Sequence, residues 1–250
     1  DRITQIGIER MRDLFALARA GAHVAVAARP VPEIEAVAAE VAALGRRTHF
    51  FPLDVSDRPS VARAPGIVAA ALGPVEILVN DAGLHASAPV QRTDDATWDA
   101  ILAVDLTAAF LLTRACLPAM YERQFGRVIN VASVAGKIGL KYGAAYAAAK
   151  HGLIGLTRSL ALEGARKGLT ANAICPSWTA TRMMDDAVEA VASATGRTEA
   201  EAREVILRSN PLDLRAPALF AMPPPTTAAE AARAAPRRPM LLADESLGLG

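Results

Sequence analysis

Arg127-Val128-Ile129-Asn130-Val131-Ala132-Ser133 is followed after a short loop by the helical pattern Tyr142–Lys167, and then by Thr170-Ala171-Asn172-Ala173-Ile174-Cys175. The outer runs are short and apolar, while the middle one is too long for a strand. Strand, helix and strand at this spacing predict a parallel β-α-β unit. The same alternation extends toward the N-terminus. His23–Ala28, Thr48–Leu53 and Glu76–Asn80 read as strands; Val31–Leu44, Arg58–Leu72 and the long amphipathic Asp95–Tyr121 read as helices. Pro59 is tolerable in the first turn of its helix, whereas Pro65 is expected to kink that helix or delay its start. Pro176 ends the fifth strand, and Thr179–Ser209 is helical but loosely patterned. The fold class expected is α/β, a single-domain, doubly wound parallel sheet covered on both faces.

Both ends break the rhythm. The first twenty residues hold one helical segment, Arg10–Ala20, with no convincing strand before it. Residues 211–250 contain seven of the sixteen prolines, ten alanines and no Val or Ile, a composition poor for a sheet strand. The expected division is therefore a domain at 1–212 and an Ala/Pro-rich tail at 213–250. A degraded first strand would leave its neighbours with unpaired backbone groups, which a tail of this composition is not expected to cover.

At 250 residues and 52% hydrophobic, the chain buries a full core and is not disordered. Twenty-seven Lys and Arg balance twenty-six Asp and Glu, and aromatic residues are 4%. That argues against a global field for nucleic acid or anionic lipid and against stacking platforms for single strands. Cys116 and Cys175 lie far apart, and the four histidines show no ligand spacing, so no metal is expected. The best membrane candidate, Ile101–Met120, is broken by Asp105 and Arg114. No leader is visible; the expected location is cytoplasmic.

The strongest chemical signal is Tyr146-Ala147-Ala148-Ala149-Lys150, with Ser133 at the end of a strand thirteen residues upstream. Residues four apart share a helix face, so the Lys150 ammonium can approach the Tyr146 phenol. A nearby cation stabilises a phenolate relative to a phenol, which suits a group exchanging a proton at a carbonyl oxygen. Ser133 can hydrogen-bond the same oxygen as charge develops on it. A Tyr and Lys four apart are otherwise an ordinary exposed pair; Ser133 and the surrounding segments favour the catalytic reading.

These residues sit among further motifs in a fixed order: Leu53-Asp54-Val55, Asn80-Asp81-Ala82-Gly83, Val131-Ala132-Ser133 and Asn172-Ala173-Ile174-Cys175-Pro176-Ser177-Trp178. From about Ala16 to Met184 the chain resembles the short-chain dehydrogenases/reductases, Rossmann-like oxidoreductases. The resemblance implies that Ser133, Tyr146 and Lys150 are catalytic and that Lys150 also holds the nicotinamide ribose. It places Asp54 beside the adenine, and Asn80, Ala82 and Gly83 in the turn backing the cofactor. Pro176 and Thr181 fall at the carboxamide and pyrophosphate, with Ser177 in place of a Gly.

Departures from the family pattern are equally specific. The first-strand Thr-Gly-x-x-x-Gly-x-Gly turn is reduced to Gly7 at most, and a plain loop glycine is the simpler reading of it. Asp105 stands where the family usually has the Asn of a proton relay; it could accept the same hydrogen bonds, pair with or disturb Lys150, or be a benign helical residue. Asn210-Pro211-Leu212 matches the family, but nothing recognisable follows it. Loss of register at both ends reads as truncation at the start and a shifted frame after about Leu212.

At the end of His23–Ala28, where NAD-selective members carry an acid, Ala28 is followed by Arg29. A guanidinium suits a 2′-phosphate, so NADP(H) is favoured over NAD(H). The implied activity interconverts a ketone and a secondary alcohol, with the stretch Lys150–Trp178 most like reductases of 3-oxoacyl thioesters, 3-hydroxyacyl-CoA dehydrogenases and polyketide ketoreductases. Hydroxybutyrate dehydrogenases grip a small carboxylate with Gln, His and Lys where this chain has His85, Ala135 and Gly143, which disfavours them. Lys167 fits one docking place for a carrier protein, but Gln124 occupies the other. Trp178 is expected to be a packing residue, with a place lining the cleft as the other reading. The helices around Ala108 and Ala144–Ala161 commonly form the family's subunit interface, implying a homo-oligomer, dimer or tetramer. The alternative is a catalytically impaired subunit of the same fold that binds or scaffolds.

Overall fold

In a computed structural model of the chain, residues 17–28, 39–176, 182–208 and 239–244 are described. Six strands form one sheet: β1 (His23–Ala28), β2 (Thr48–Pro52), β3 (Ile77–Asn80), β4 (Gly126–Val131), β5 (Leu169–Ile174) and β6 (Pro239–Asp244). Helices among the described residues include α1 (Arg58–Leu72), α2 (Asp95–Leu102), α3 (Ala108–Glu122), α4 (Ala144–Gly164), α5 (Arg182–Thr195) and α6 (Glu199–Arg208). The sheet order is β2-β1-β6-β3-β4-β5, and every pairing is parallel.

Local chemistry sets the boundaries. Asp57 caps α1 by accepting from the Ser60 N–H at 3.1 Å, and Pro59 lies in the first turn where no intrahelical donor is lost. The helix is neither delayed nor ended by Pro65, contrary to that part of the expectation; it runs on to Leu72 with Val61, Ala64, Val68 and Leu72 buried on the sheet. Packing of one apolar face outweighs the missing hydrogen bond. β1 and β3 are buried along their whole length, as strands covered on both faces must be. One core cluster includes Phe51, Val61, Leu78, Leu112, Met120 and Val128; a second, on the other strand faces, includes Leu17, Val24, Val26, Val41, Ile77 and Val79.

Two findings correct the sequence reading. The Asp95–Tyr121 helix is interrupted by a π-helical turn at Ala103–Thr107. By length and composition Asp95–Glu122, at mean hydropathy 1.8, does meet the criterion for a membrane span. Half of its best window is buried inside the protein, with Ile101, Val104, Leu112, Cys116 and Met120 in the core, so it reads as a core helix.

The larger correction concerns residues 239–244. Placed by composition in a tail outside the domain, they form β6 at the centre of the sheet. Residues 239–244 pair with His23–Ala28 on one side, and Met240–Ala243 pair with Ile77–Asn80 on the other. The neighbouring strands are therefore not left unpaired. Leu and Met are acceptable in a strand bonded on both edges, because β propensity mostly reports packing context. Pro239 takes the first position, which a sheet tolerates. The boundary drawn at residue 212 thus does not separate this segment from the sheet.

Candidate active site

All strands run parallel, so their carboxyl ends share one edge, where open α/β sheets bind ligands. β2 delivers Asp54 there, β3 the turn Asn80–Gly83, β4 Ser133 and β5 Pro176. Helix α4 starts beside that edge and carries Tyr146 and Lys150 one turn apart, 8% and 3% exposed.

Lys150 is the hub. Its Nζ donates to the Val131 carbonyl at 3.0 Å and lies 3.3 Å from Asp105 Oδ2. It also stands 5.5 Å from the centre of the Tyr146 ring. An ammonium has three donors, so one remains beyond these two contacts for a ligand hydroxyl. Asp105, 1% exposed, sits in the π-helical turn, and its Oδ1 accepts from the Leu84 N–H at 2.6 Å. The carboxylate therefore joins the turn after β3 to α4. π-Turns recur at functional sites because they re-aim side chains. Of the readings left open for Asp105, the structure shows the pair with Lys150.

A cofactor cradle is testable at Gly83, where an added Cβ would lie 3.7 Å from both Asp105 Oδ2 and Lys150 Nζ. Backbone thus passes directly over the ion pair with no side chain filling the space. The donors and the open backbone fit a ribose held over Lys150. At the far end, Asp54 accepts from the Ser56 N–H and hydroxyl at 2.8 and 2.6 Å, which fixes an exposed carboxylate at the carboxyl end of β2.

Ser133 leaves β4 in extended conformation and accepts from the Ala135 N–H at 3.1 Å, leaving its hydroxyl hydrogen available to a substrate oxygen. The next residue, Val134, donates to the Pro176 carbonyl at 2.8 Å, so the exits of β4 and β5 are tied together. His85 meets the Tyr146 ring edge-on, with centroids 5.2 Å apart, and burial lowers its pKa below the ordinary histidine value. It lies at the site as a neutral ring at pH 7.

Other candidates act from beneath. Asn80 is 5% exposed and donates to Asn130 Oδ1 at 2.7 Å, while Asn130 donates to the Thr157 hydroxyl at 2.8 Å. This chain links β3, β4 and α4 below the site, so Asn80 positions its turn from within the sheet. Asn130 and Thr157 were not singled out from sequence; polar side chains at the centre of apolar runs were their available signal. Ala82 is half-buried against the core, and Ala28 is fully buried at the end of β1. Gly7, Arg29, Ser177 and Thr181 lie outside the described residues. Cys116 and Cys175 are free thiols, and burial pushes Cys116 up to about 12, leaving it inert.

Gly136 supplies a first test. A Cβ there would fall 2.7 Å from the Lys150 carbonyl oxygen and 2.8 Å from Ile154 Cδ1, so α4 approaches this turn too closely for any side chain. Gly136→Ala is expected to displace the helix bearing Tyr146 and Lys150. Steady-state kinetics should show turnover reduced by about tenfold or more, since about 1 Å of misplacement can cost 10²-fold. Melting should register the overpacking at about 1–3 kcal/mol. Unchanged turnover would show that α4 absorbs the methyl without moving the pair.

Comparison with known proteins agrees with this geometry. Residues 13–192 match the short chain dehydrogenase family. The chain belongs to the short-chain dehydrogenase/reductase family. It is an oxidoreductase of the class that interconverts ketones and alcohols. This dehydrogenase is 39% identical to D-beta-hydroxybutyrate dehydrogenase of Cupriavidus necator over 199 residues, 78% of this chain and 76% of that protein. It is 40% identical to acetoacetyl-CoA reductase of Shinella zoogloeoides over 131 residues, 52% and 54% of the two chains. A crystal structure of actinorhodin polyketide ketoreductase with NADPH superposes with a TM-score of 0.72 at 30% identity, covering 90% of this chain and 89% of that one.

Proposed function

We propose that the dehydrogenase is an NADP(H)-dependent reductase of 3-oxoacyl thioesters or related polyketides. The observation that carries the chemistry is Lys150 fixed between Val131 O and Asp105 beside the Tyr146 ring. Bound nicotinamide supplies or accepts the hydride at the substrate carbon. Tyr146 gives or takes the proton at the carbonyl oxygen, and the Ser133 hydroxyl donates to that same oxygen as its charge grows. Lys150 orients the ribose with its remaining donor and keeps positive charge near the phenol, while Asp105 holds the ammonium in place.

Similarity to the acetoacetyl-CoA reductase and the polyketide ketoreductase supports the thioester class. The D-beta-hydroxybutyrate dehydrogenase relative supports a small hydroxy acid instead, against the side chains at His85, Ala135 and Gly143. Purified protein assayed for NADPH oxidation with acetoacetyl-CoA, and for reduction of either cofactor with 3-hydroxybutyrate, separates the two. Turnover of 3-hydroxybutyrate alone would overturn the thioester proposal. The impaired-subunit alternative, supported by Asp105 standing where the family usually has Asn, predicts no NADPH binding in a titration carried to millimolar cofactor.

Cofactor choice rests on Arg29 after Ala28. Arg29→Ala is expected to raise the Kd for NADPH about ten- to hundred-fold, the loss of a charge-assisted bond of about 1.5–3 kcal/mol, and to leave NADH nearly unchanged. Equal weakening of both cofactors in fluorescence titrations would contradict a 2′-phosphate contact. Exposed Phe110 on α3 and Leu162 on α4 support a homo-oligomer, and the free thiols of Cys116 and Cys175 support a reducing, cytoplasmic location.

A further inference from the structure

The two loops that close over Tyr146 carry charge of one sign. From Arg123 to Leu162 the chain has no Asp or Glu, and there is none between Asp81 and Asp94, although acids make up 26 of its 250 residues. Within those stretches Arg92, Lys137 and Lys141 are exposed, and among the described residues none of the three is in an ion pair. The loops are joined to each other and to the site. The Ala88 N–H donates to the Tyr142 carbonyl at 2.8 Å. Leu140 from one loop, with Leu84 and Ala86 from the other, packs on the cluster that holds Tyr146. A net charge of +1 for the whole chain thus conceals a local cationic rim.

Tyr142 stands on that rim in an uncommon conformation. Its side chain is 49% exposed, the Lys141 ammonium lies 4.9 Å from its ring centre, and its φ is 65°. A bulky residue in the left-handed region is disfavoured, and such strain persists only where the surroundings fix it. Here the bond from Ala88 fixes it on one side. On the other, Leu140 presses on Gly143 so closely that a Cβ there would fall 2.6 Å from Leu140 Cδ2. The fold therefore holds an aromatic face in solvent beside two lysines. A ring face can stack on a nucleobase, and ammonium groups bind phosphates as point charges. When the carbonyl of a 3-oxoacyl thioester lies at Tyr146 and Ser133, the group on its sulfur runs outward past these loops. Coenzyme A ends in an adenine nucleotide with a 3′-phosphate and a pyrophosphate, whereas a carrier protein's pantetheine arm brings a single phosphodiester and no base. We propose that Lys137, Lys141 and Tyr142 form a subsite for the phosphorylated adenosine end of a coenzyme A thioester. The inference rests on the thioester reading given above.

The test uses the full chain and compares acetoacetyl-CoA with acetoacetyl-N-acetylcysteamine, which has the same acyl group and thioester without the nucleotide. Lys137→Gln combined with Lys141→Gln is expected to lower the kcat/KM preference for the CoA ester about tenfold or more, equivalent to about 1.4 kcal/mol, chiefly through KM. Tyr142→Gly accepts the positive φ and removes only the ring. It should lower the same preference about fivefold or more, with the melting temperature retained. Added salt should erode the parent's preference and leave that of the lysine variant nearly unchanged. An unchanged preference in either variant, equal losses on both esters, or a parent that prefers the short ester would overturn the subsite while leaving the thioester reading intact. Failure of the parent on both esters would overturn both.

Discussion

Tyr146→Phe is expected to reduce turnover by about 10²–10⁴-fold, the range associated with a positioned general acid or base. The ring is buried among Ile101, Ala135, Ala145 and Ala149, and it meets His85 ring to ring. Phe preserves that packing, so the melting temperature and NADPH affinity should stay close to those of the parent. The loss then belongs to the proton and not to the fold. Rate measurements at saturating substrate, beside melting and titration, check the claim. Retention of more than about a tenth of the parent turnover would remove Tyr146 from the role of proton donor.

Lys150→Met should cost both activity and stability, for separable reasons. It removes the cation from beside a carboxylate that is 1% exposed, and breaking one side of a buried pair costs about 3–5 kcal/mol. Against a total of about 5–15 kcal/mol, that loss is large. Adding Asp105→Asn eliminates the stranded charge and keeps an acceptor for the Leu84 N–H. The double variant is expected to recover most of the lost melting temperature while its turnover stays at the level of Lys150→Met. Denaturation of the three proteins measures the first part and kinetics the second. If activity returned along with stability, Lys150 would act only as a structural counter-ion.

Periodicity made most of the framework legible. β1, α1, β4 and α4 carry strong apolar patterns of the right length, and their predicted and observed spans agree to within a few residues. The Tyr146–Lys150 relation was readable because both residues sit on one helix, where spacing dictates proximity. The partners that fix Lys150 and Asp105 were less accessible. Val131 O and Leu84 N–H are backbone atoms, indistinguishable in a sequence from any others. Ala103–Thr107 is composed of ordinary helix residues, so nothing local announces that the turn widens there. β6 escaped for a different reason. A Met-Leu-Leu run in an Ala/Pro-rich context has weak local preference, and two flanking ladders decide its conformation.

The central position of β6 also governs how the molecule is made. His23 and its partner Pro239 stand more than two hundred residues apart, although the strands they begin are neighbours. During synthesis every other described strand leaves the ribosome before this one, and until it arrives the β2-β1 pair and the β3-β4-β5 block each expose an open ladder at the middle of the future sheet. Closing so long a loop before its contacts can compensate makes this step slow, and open ladders are sites of misassembly in the meantime. Nascent chains not yet extended through residues 239–244 should accordingly remain open to proteases and chaperones, and full protection should come in a single late event when the middle strand docks.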